Sequence, residues 1–263
     1  MNAREALEIV CSRAWPPLVE EPLNDWRLRW AGGFTGRANS ALAVGDPGVE
    51  IPEALRAVCD FAHDRGIQPM VQVIRDSPNE HAVIAEGWFQ ATRHHRGHEV
   101  VVLTTPLTPD RHFPYESGVP GLPDATFPTK VTDQPTPEWW ELTLGPGEDV
   151  PAARSVLTGG KVGYGVATLD GATAGVVRGA LVDGWLHVGR LEVGPAFRRR
   201  GLAKALMGAL HAWGVEHGAD HAVLQVAEGN AGALALYAGL GYAPHHRYRY
   251  WVPEPGSCED STS

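Results

Sequence analysis

Apolar residues at Leu202, Ala205, Leu206, Ala209, Leu210 and Trp213 recur in an i, i+3, i+4, i+7 series. This spacing predicts a helix with one continuous packing stripe, starting near Gly201 and stopping at Gly218. The runs on either side, "HVGRLEV" and "HAVLQV", predict strands, and "NAGALALYAGLGY" predicts a second helix with a glycine exit. The first half of the chain shows the same succession. "GRANSALAV" predicts a strand, "IPEALRAVCDFAHDRG" a helix, "QPMVQVI" a strand and "NEHAVIAEGW" a helix. Val71-Gln72-Val73 matches Leu224-Gln225-Val226, Asn79 matches Asn230, and Gly87-Trp88 matches Gly241-Tyr242, all at offsets of about 151 to 154 positions. A duplicated α/β unit is expected. Between the copies, residues 104–137 hold eight prolines and no helical period, which predicts a linker with an edge strand near Lys130 to Thr132.

The copies differ in charge at one place. Arg198, Arg199 and Arg200 crowd before the helix that follows Gly201, where the helix end already carries about half a positive charge. The corresponding helix of the first half starts conventionally, with Glu50 and Glu53. The chain as a whole is acidic, with a formal net charge of -9, which argues against nucleic acid as its main partner and makes the basic cluster a local exception. Read alone, "RRRG" is either a solvated turn or an anion site. Free N–H groups at a helix start, small residues at Gly201 and Ala203, and the cations Arg199, Arg200 and Lys204 would suit a phosphate.

Other features narrow the class further. At 43% hydrophobic and 20% charged, the 263-residue chain has the composition of a folded globular protein. No apolar run approaches the ~18 residues of a membrane span, and "MNAREALEIV" lacks a secretory apolar stretch. Cys11, Cys59 and Cys258 show no CxxC spacing, so neither a disulfide framework nor a zinc site is expected, and a reduced cytoplasmic setting fits. The pairs His94 with His98 and His217 with His221 lack the carboxylate of an HExxH site and are read as surface histidines. Trp139-Trp140 would either line a substrate groove or pack against the N-terminal half.

The combination Arg198-x-x-Gly201-x-Ala203 after a strand ending Leu191-Glu192-Val193, followed by "LQVAEGNAGALALYAGLGY", resembles the GNAT superfamily of acyl-CoA-dependent N-acetyltransferases. The resemblance covers about residues 127 to 252, and the first half looks like a degenerate copy, as in tandem-GNAT proteins. It implies an α/β (α+β) fold of two units, 1–126 and 127–263, each a mixed, mostly antiparallel sheet flanked by helices, with splayed central strands in the second. It implies acetyl-CoA as acyl donor, with the pyrophosphate on Arg198, Arg199, Arg200, Gly201, Leu202, Ala203 and Lys204. Backbone groups of Leu191, Glu192 and Val193 would pair with the pantetheine arm, and Asn230 would contact it. Tyr237, two helical turns beyond Asn230, would protonate the departing thiolate.

The partner is then a primary amine of a protein, peptide or small molecule, with no metal, nucleic acid or membrane, in a monomer or homodimer. One departure stands out. Where the ribosomal-protein alanine acetyltransferases place a glutamate base, this chain has Gln225, so Glu192, His187 or ordered water must take the amine proton. The missing carboxylate keeps open a second reading, a non-catalytic acyl-CoA-binding regulatory module.

Overall fold

A computed structural model of the chain describes residues 1–92, 99–108, 127–145 and 150–258. The chain opens on helix α1 (Ala3–Ala14), started by Asn2, whose side chain accepts from the N–H groups of Arg4 and Glu5. The first half continues with β1 (Val19–Leu23), β2 (Trp26–Trp30), β3 (Ala41–Ala43), α2 (Ile51–Asp64), β4 (Val71–Ile74), α3 (Pro78–Ala85), β5 (Phe89–Gln90) and β6 (Glu99–Pro106). The second comprises β7 (Thr129–Thr132), α4 (Pro137–Leu144), α5 (Pro151–Thr158), β8 (Lys161–Leu169), β9 (Ala172–Val182), β10 (Trp185–Val193), α6 (Leu202–Glu216), β11 (His221–Ala227), α7 (Ala231–Gly239) and β12 (Ala243–Val252). The expected edge strand is β7, at one end of the sheet. Residues 109–126 of the expected linker and the pair His94 and His98 lie outside the described residues. His217 caps the end of α6 and His221 opens β11.

All twelve strands join one sheet in the order β1-β2-β3-β4-β12-β6-β11-β10-β9-β8-β7, with β5 added on β12. Among the described strands only the β3–β4 and β10–β11 pairs are parallel; each is connected through a helix, α2 in one half and α6 in the other. The duplication is therefore visible in topology. It is also visible in helix ends: Trp88 N–H donates to Val83 C=O across Gly87, and Tyr242 N–H donates to Tyr237 C=O across Gly241. Both glycines hold a left-handed φ, 77° and 78°, that a side chain would oppose. This alignment sets Val83 where the second half has Tyr237. It also corrects one expected match, because Ser77 is the N-cap of α3 as Asn230 is of α7, and Asn79 sits inside its helix.

The halves exchange strands. β6, from the first half, pairs with β11 from Val100↔Ala227 to Pro106↔His221, and β12, the last strand, pairs with β4, β5 and β6. Glu99 fastens this crossing, accepting from Arg75 Nη1 and Arg249 Nε, both at 2.8 Å. The division expected at residue 126 thus falls between two strands of a single sheet.

α6 lies on β8, β9 and β10 with Leu202, Leu206 and Leu210 fully buried, as its stripe predicts, and Met207 buried beside them. The close approach requires Gly179: a Cβ there would stand 2.8 Å from both Leu186 Cδ1 and Leu210 Cδ1. Gly179→Ala should cost about 1 to 3 kcal/mol by overpacking, read as a lower midpoint in urea with unchanged m-value. Trp139 is fully buried with Trp15, Ala31 and Ala38 of the first half, which selects packing over a groove for this residue. One sequence expectation is overturned. Cys59 of α2 and Cys258, just past β12, form a disulfide with Cα atoms 5.6 Å apart, a pairing that the spacing of residues 199 apart could not reveal. Cys11 alone is a free, buried thiol among the described residues.

Candidate active site

β10 and β11 run side by side only from Trp185↔His221 to Val188↔Leu224. Beyond that point β10 stays with β9, while Gln225 to Ala227 of β11 stay with β6. A bulge between Gly189 and Glu192 turns β10 away, with Arg190 at φ 53°. The divergence leaves the β10 backbone from Gly189 to Val193 without β11 as a partner, and it opens a cleft of about 400 Å³. Leu191, Glu192, Asn230 and Tyr237 line this cleft together, along with Gln225. In the first half the equivalent edge is occupied. Past the short β3–β4 pairing, Asn79 Nδ2 donates to the carbonyls of Ala43 (3.4 Å) and Gly45 (2.9 Å), so a side chain of the chain itself occupies the diverging strand.

Asn230 Oδ1 accepts the N–H of Ala233 at 3.1 Å and starts α7, which positions Tyr237 two turns later. Tyr237 is 9% exposed, and burial, reinforced by the charge of Glu192, pushes its phenol up to about 12. It is therefore protonated throughout the neutral range. His187 is placed differently. It is fully buried outside the cleft lining, and burial together with the charges of Arg37 and Arg178 depresses it to about 3. An imidazole so weakly basic and so enclosed does not fit the role of base, whereas Glu192 does reach the cleft.

The mouth of α6 is open. Gly201, at φ 87°, is its N-cap without a side-chain bond, the first turn holds no acidic residue, and Arg199 also takes a left-handed φ, 64°. Arg198 Nε donates to the carbonyl of Val193 at 3.1 Å, tying the loop to the end of β10. Arg199, Arg200 and Lys204 are exposed, and none has a hydrogen-bonded partner among the described residues. A basic loop with free N–H groups at the end of a splayed strand is suited to a phosphate.

Sequence reasoning missed the other wall. The loop between β2 and β3 brings Thr35, Gly36 and Arg37 into the cleft, and β12 brings Tyr248 and Tyr250. Arg37 Nη1 donates to Gln225 Oε1 at 2.7 Å, across 188 positions, and its guanidinium lies 4.4 Å from the centre of the Trp15 ring. The loop is held by Asn39, 6% exposed: Oδ1 accepts from the N–H groups of Ala31 (2.8 Å) and Gly33 (3.0 Å), while Nδ2 donates to the carbonyls of Phe34 and Thr35, both 2.9 Å. Trp15 adds a bond from Nε1 to Thr35 Oγ1 at 3.0 Å and stacks on Phe34. Thr35 holds φ 62°, costly for a β-branched residue, and strain of this kind is kept at functional sites. Asn39→Ala leaves four backbone groups unpaired, so a loss of about 2 to 4 kcal/mol is expected in chemical denaturation, with turnover falling further than the folded fraction.

Comparison with known proteins agrees with this geometry. Over residues 3–251 the chain matches the family model described as probable histone acetyltransferase Rv0428c C-terminal. Among curated proteins it is 45% identical over 58 residues to the acetyl transferase GW6a of Oryza sativa subsp. japonica, covering 22% of this chain and 14% of that one. It is 36% identical over 95 residues to the N-terminal acetyltransferase B complex catalytic subunit naa20 of Schizosaccharomyces pombe, covering 36% and 53%. The chain thus matches about half the length, or less, of these curated relatives. Among solved structures, a GCN5-related N-acetyltransferase from Kribbella flavida superposes with a TM-score of 0.69 at 16% identity, over 99% of both chains. A tandem GNAT protein from the clavulanic acid biosynthesis pathway gives 0.62 at 18% identity, over 93% of this chain and 86% of that one. The diverging strands, the open basic helix and the match from residue 3 to 251 lead to one conclusion: the chain belongs to the Rv0428c C-terminal acetyltransferase family and has the GNAT fold.

Proposed function

We propose that the chain is an acetyl-CoA-dependent N-acetyltransferase acting on a primary amine, with its site in residues 127–263 completed by the loop of Thr35 to Arg37. The observation that carries this reading is the divergence of β10 from β11 with Tyr237 and the β10 edge in the same cleft. In it, the pantetheine arm of the acyl donor lies along Leu191 to Val193 as an added strand would, and its pyrophosphate meets the start of α6. A backbone N–H of β10 polarises the thioester oxygen. The amine lone pair attacks the thioester carbon, the C–S bond breaks, and the sulfur leaves as a thiolate that takes a proton from Tyr237. The amine proton passes to Glu192 or to water.

The phenol at about 12 makes Tyr237 a hydrogen-bond donor to the thiolate more than a free acid. Full transfer to a thiolate of pKa ~8.5 is uphill by about 5 kcal/mol, which a barrier for ordinary turnover can contain. A cytoplasmic setting belongs to the same proposal, because the acyl donor is found there; the disulfide removes the argument from cysteines. Among the described residues no helix is long and apolar enough to cross a membrane.

The family description names a histone acceptor and the yeast relative a protein N-terminus, so protein amines and small-molecule amines are both within the proposal. Release of free CoA thiol, followed across amines, peptides and proteins, tests it. Turnover with at least one amine is the expected outcome. Tight acetyl-CoA binding with no thiol release above solvent hydrolysis on every class would favour the regulatory module, which Gln225 in place of a carboxylate base keeps in contention.

A further inference from the structure

The described lining of the cleft holds more cations than carboxylates. Arg37 and Arg190 line it against a single carboxylate, Glu192, among the described lining residues. Behind them lies Arg178, fully buried, bonded only to main-chain carbonyls among its described partners: Leu157 (2.8 Å), Ala14 (3.0 Å), Gly159 (3.3 Å) and Val156 (3.4 Å). The three guanidinium groups converge on one aromatic cluster. Arg37 and Arg178 stand 4.4 and 5.1 Å from the Trp15 ring, and Arg190 stands 5.1 Å from Phe34. Burial first, and then the charges of Arg37 and Arg178, hold the nearby His187 neutral.

Building such a site has a cost. A buried cation without a carboxylate is unfavourable, and Thr35 and Arg190 are both held at left-handed φ in the cleft wall. Arg37 is also preorganised: Gln225 fixes one nitrogen, Trp15 fixes the plane, and Asn39 fixes the loop. A planar guanidinium held this way presents its other N–H groups to a planar oxyanion. A lysine in a basic peptide would instead bring positive charge to positive charge.

We propose that the acceptor is a small amine bearing a carboxylate close to its amino group, and that Arg37, supplied by the first half of the chain, selects it by pairing with that carboxylate. The proposal rests on the acetyltransferase reading and names its substrate class. It also gives the degenerate copy a use, since a half that holds no acyl donor provides the wall that recognises the acceptor.

The test compares free amino acids, their C-terminal amides and a lysine-rich peptide in the CoA-thiol release assay. It is paired with calorimetry of N-acetyl amino acids and N-acetyl amino acid amides on the CoA-saturated protein, which needs no turnover. The amides hold more unprotonated amine at neutral pH, so a preference for the acids cannot arise from amine basicity. We expect acids to exceed amides at least tenfold in kcat/KM and in product affinity, the scale of one charge-assisted pair. Arg37→Met should bring that ratio close to one, and Arg37→Lys, which keeps the charge and loses the fork, should leave it intermediate. Equal or better use of the amides or of the basic peptide would overturn the proposal, as would an unchanged ratio in Arg37→Met. Failure of acetyl-CoA itself to bind would defeat the acetyltransferase reading and this proposal with it, whereas binding with acids and amides alike defeats only the substrate class.

Discussion

Tyr237→Phe is expected to lower kcat by about 100-fold or more while acetyl-CoA affinity stays close to that of the parent. The change removes one oxygen and keeps the ring that packs against Tyr242 at 5.7 Å between centroids. The hydroxyl has no hydrogen-bonded partner among the described residues, so its loss orphans nothing and stability should hold. Because the phenol meets charge only as the C–S bond breaks, kcat and kcat/KM should fall together. The pH profile carries a second signature. A group at about 12 stays protonated below that pH, so no limb of the parent profile near neutrality belongs to Tyr237. The rate should instead rise with pH as the acceptor amine loses its proton. In the mutant the deficit should shrink toward low pH, where solvent supplies the proton more readily. A mutant within threefold of the parent across the range, with acetyl transfer shown to limit the rate, would remove Tyr237 as donor.

The second large effect is on binding. Replacing Arg199 and Arg200 together by alanine should weaken acetyl-CoA by about a hundredfold, the sum of two charge-assisted contacts to phosphate oxygens. Both side chains are exposed and neither is hydrogen-bonded among the described residues, so the fold should be untouched. The deficit should be larger at low ionic strength, because exposed charges are screened over a length of about 10 Å at 0.1 M salt. Arg198 is a different case, as its bond to Val193 C=O shapes the loop itself. An unchanged affinity in the double mutant, at any salt concentration, would make the two arginines a solvated turn.

What was legible in the sequence is what is local. The stripe of α6, the glycine exits at Gly87 and Gly241, and the open start at Gly201 depend on neighbours within a turn or two, and each stands where the pattern put it. The opening between β10 and β11 begins at Gly189, a residue without a side chain of the kind that commonly marks a bulge. Features set by distant partners were not legible. Nothing within ten residues of Arg37 announces Gln225, and nothing in "GGFTGRANS" distinguishes a surface turn from a clamped wall of the cleft. His187 looked available because a strand position does not reveal which elements will cover it; Trp15, from α1's end, does so. The exchange of β6 and β12 between halves and the joining of Cys59 to Cys258 are likewise long-range pairings, invisible to periodicity.

The central claim is that one half alone receives the acyl donor. The first half closes its diverging strand with Asn79, begins α2 with Glu50 and Glu53, and has Val83 in the position of Tyr237. Isothermal titration of the full chain with acetyl-CoA tests this directly. The account predicts one site per chain, abolished or strongly weakened by the Arg199 and Arg200 double substitution; two comparable sites per chain would contradict it.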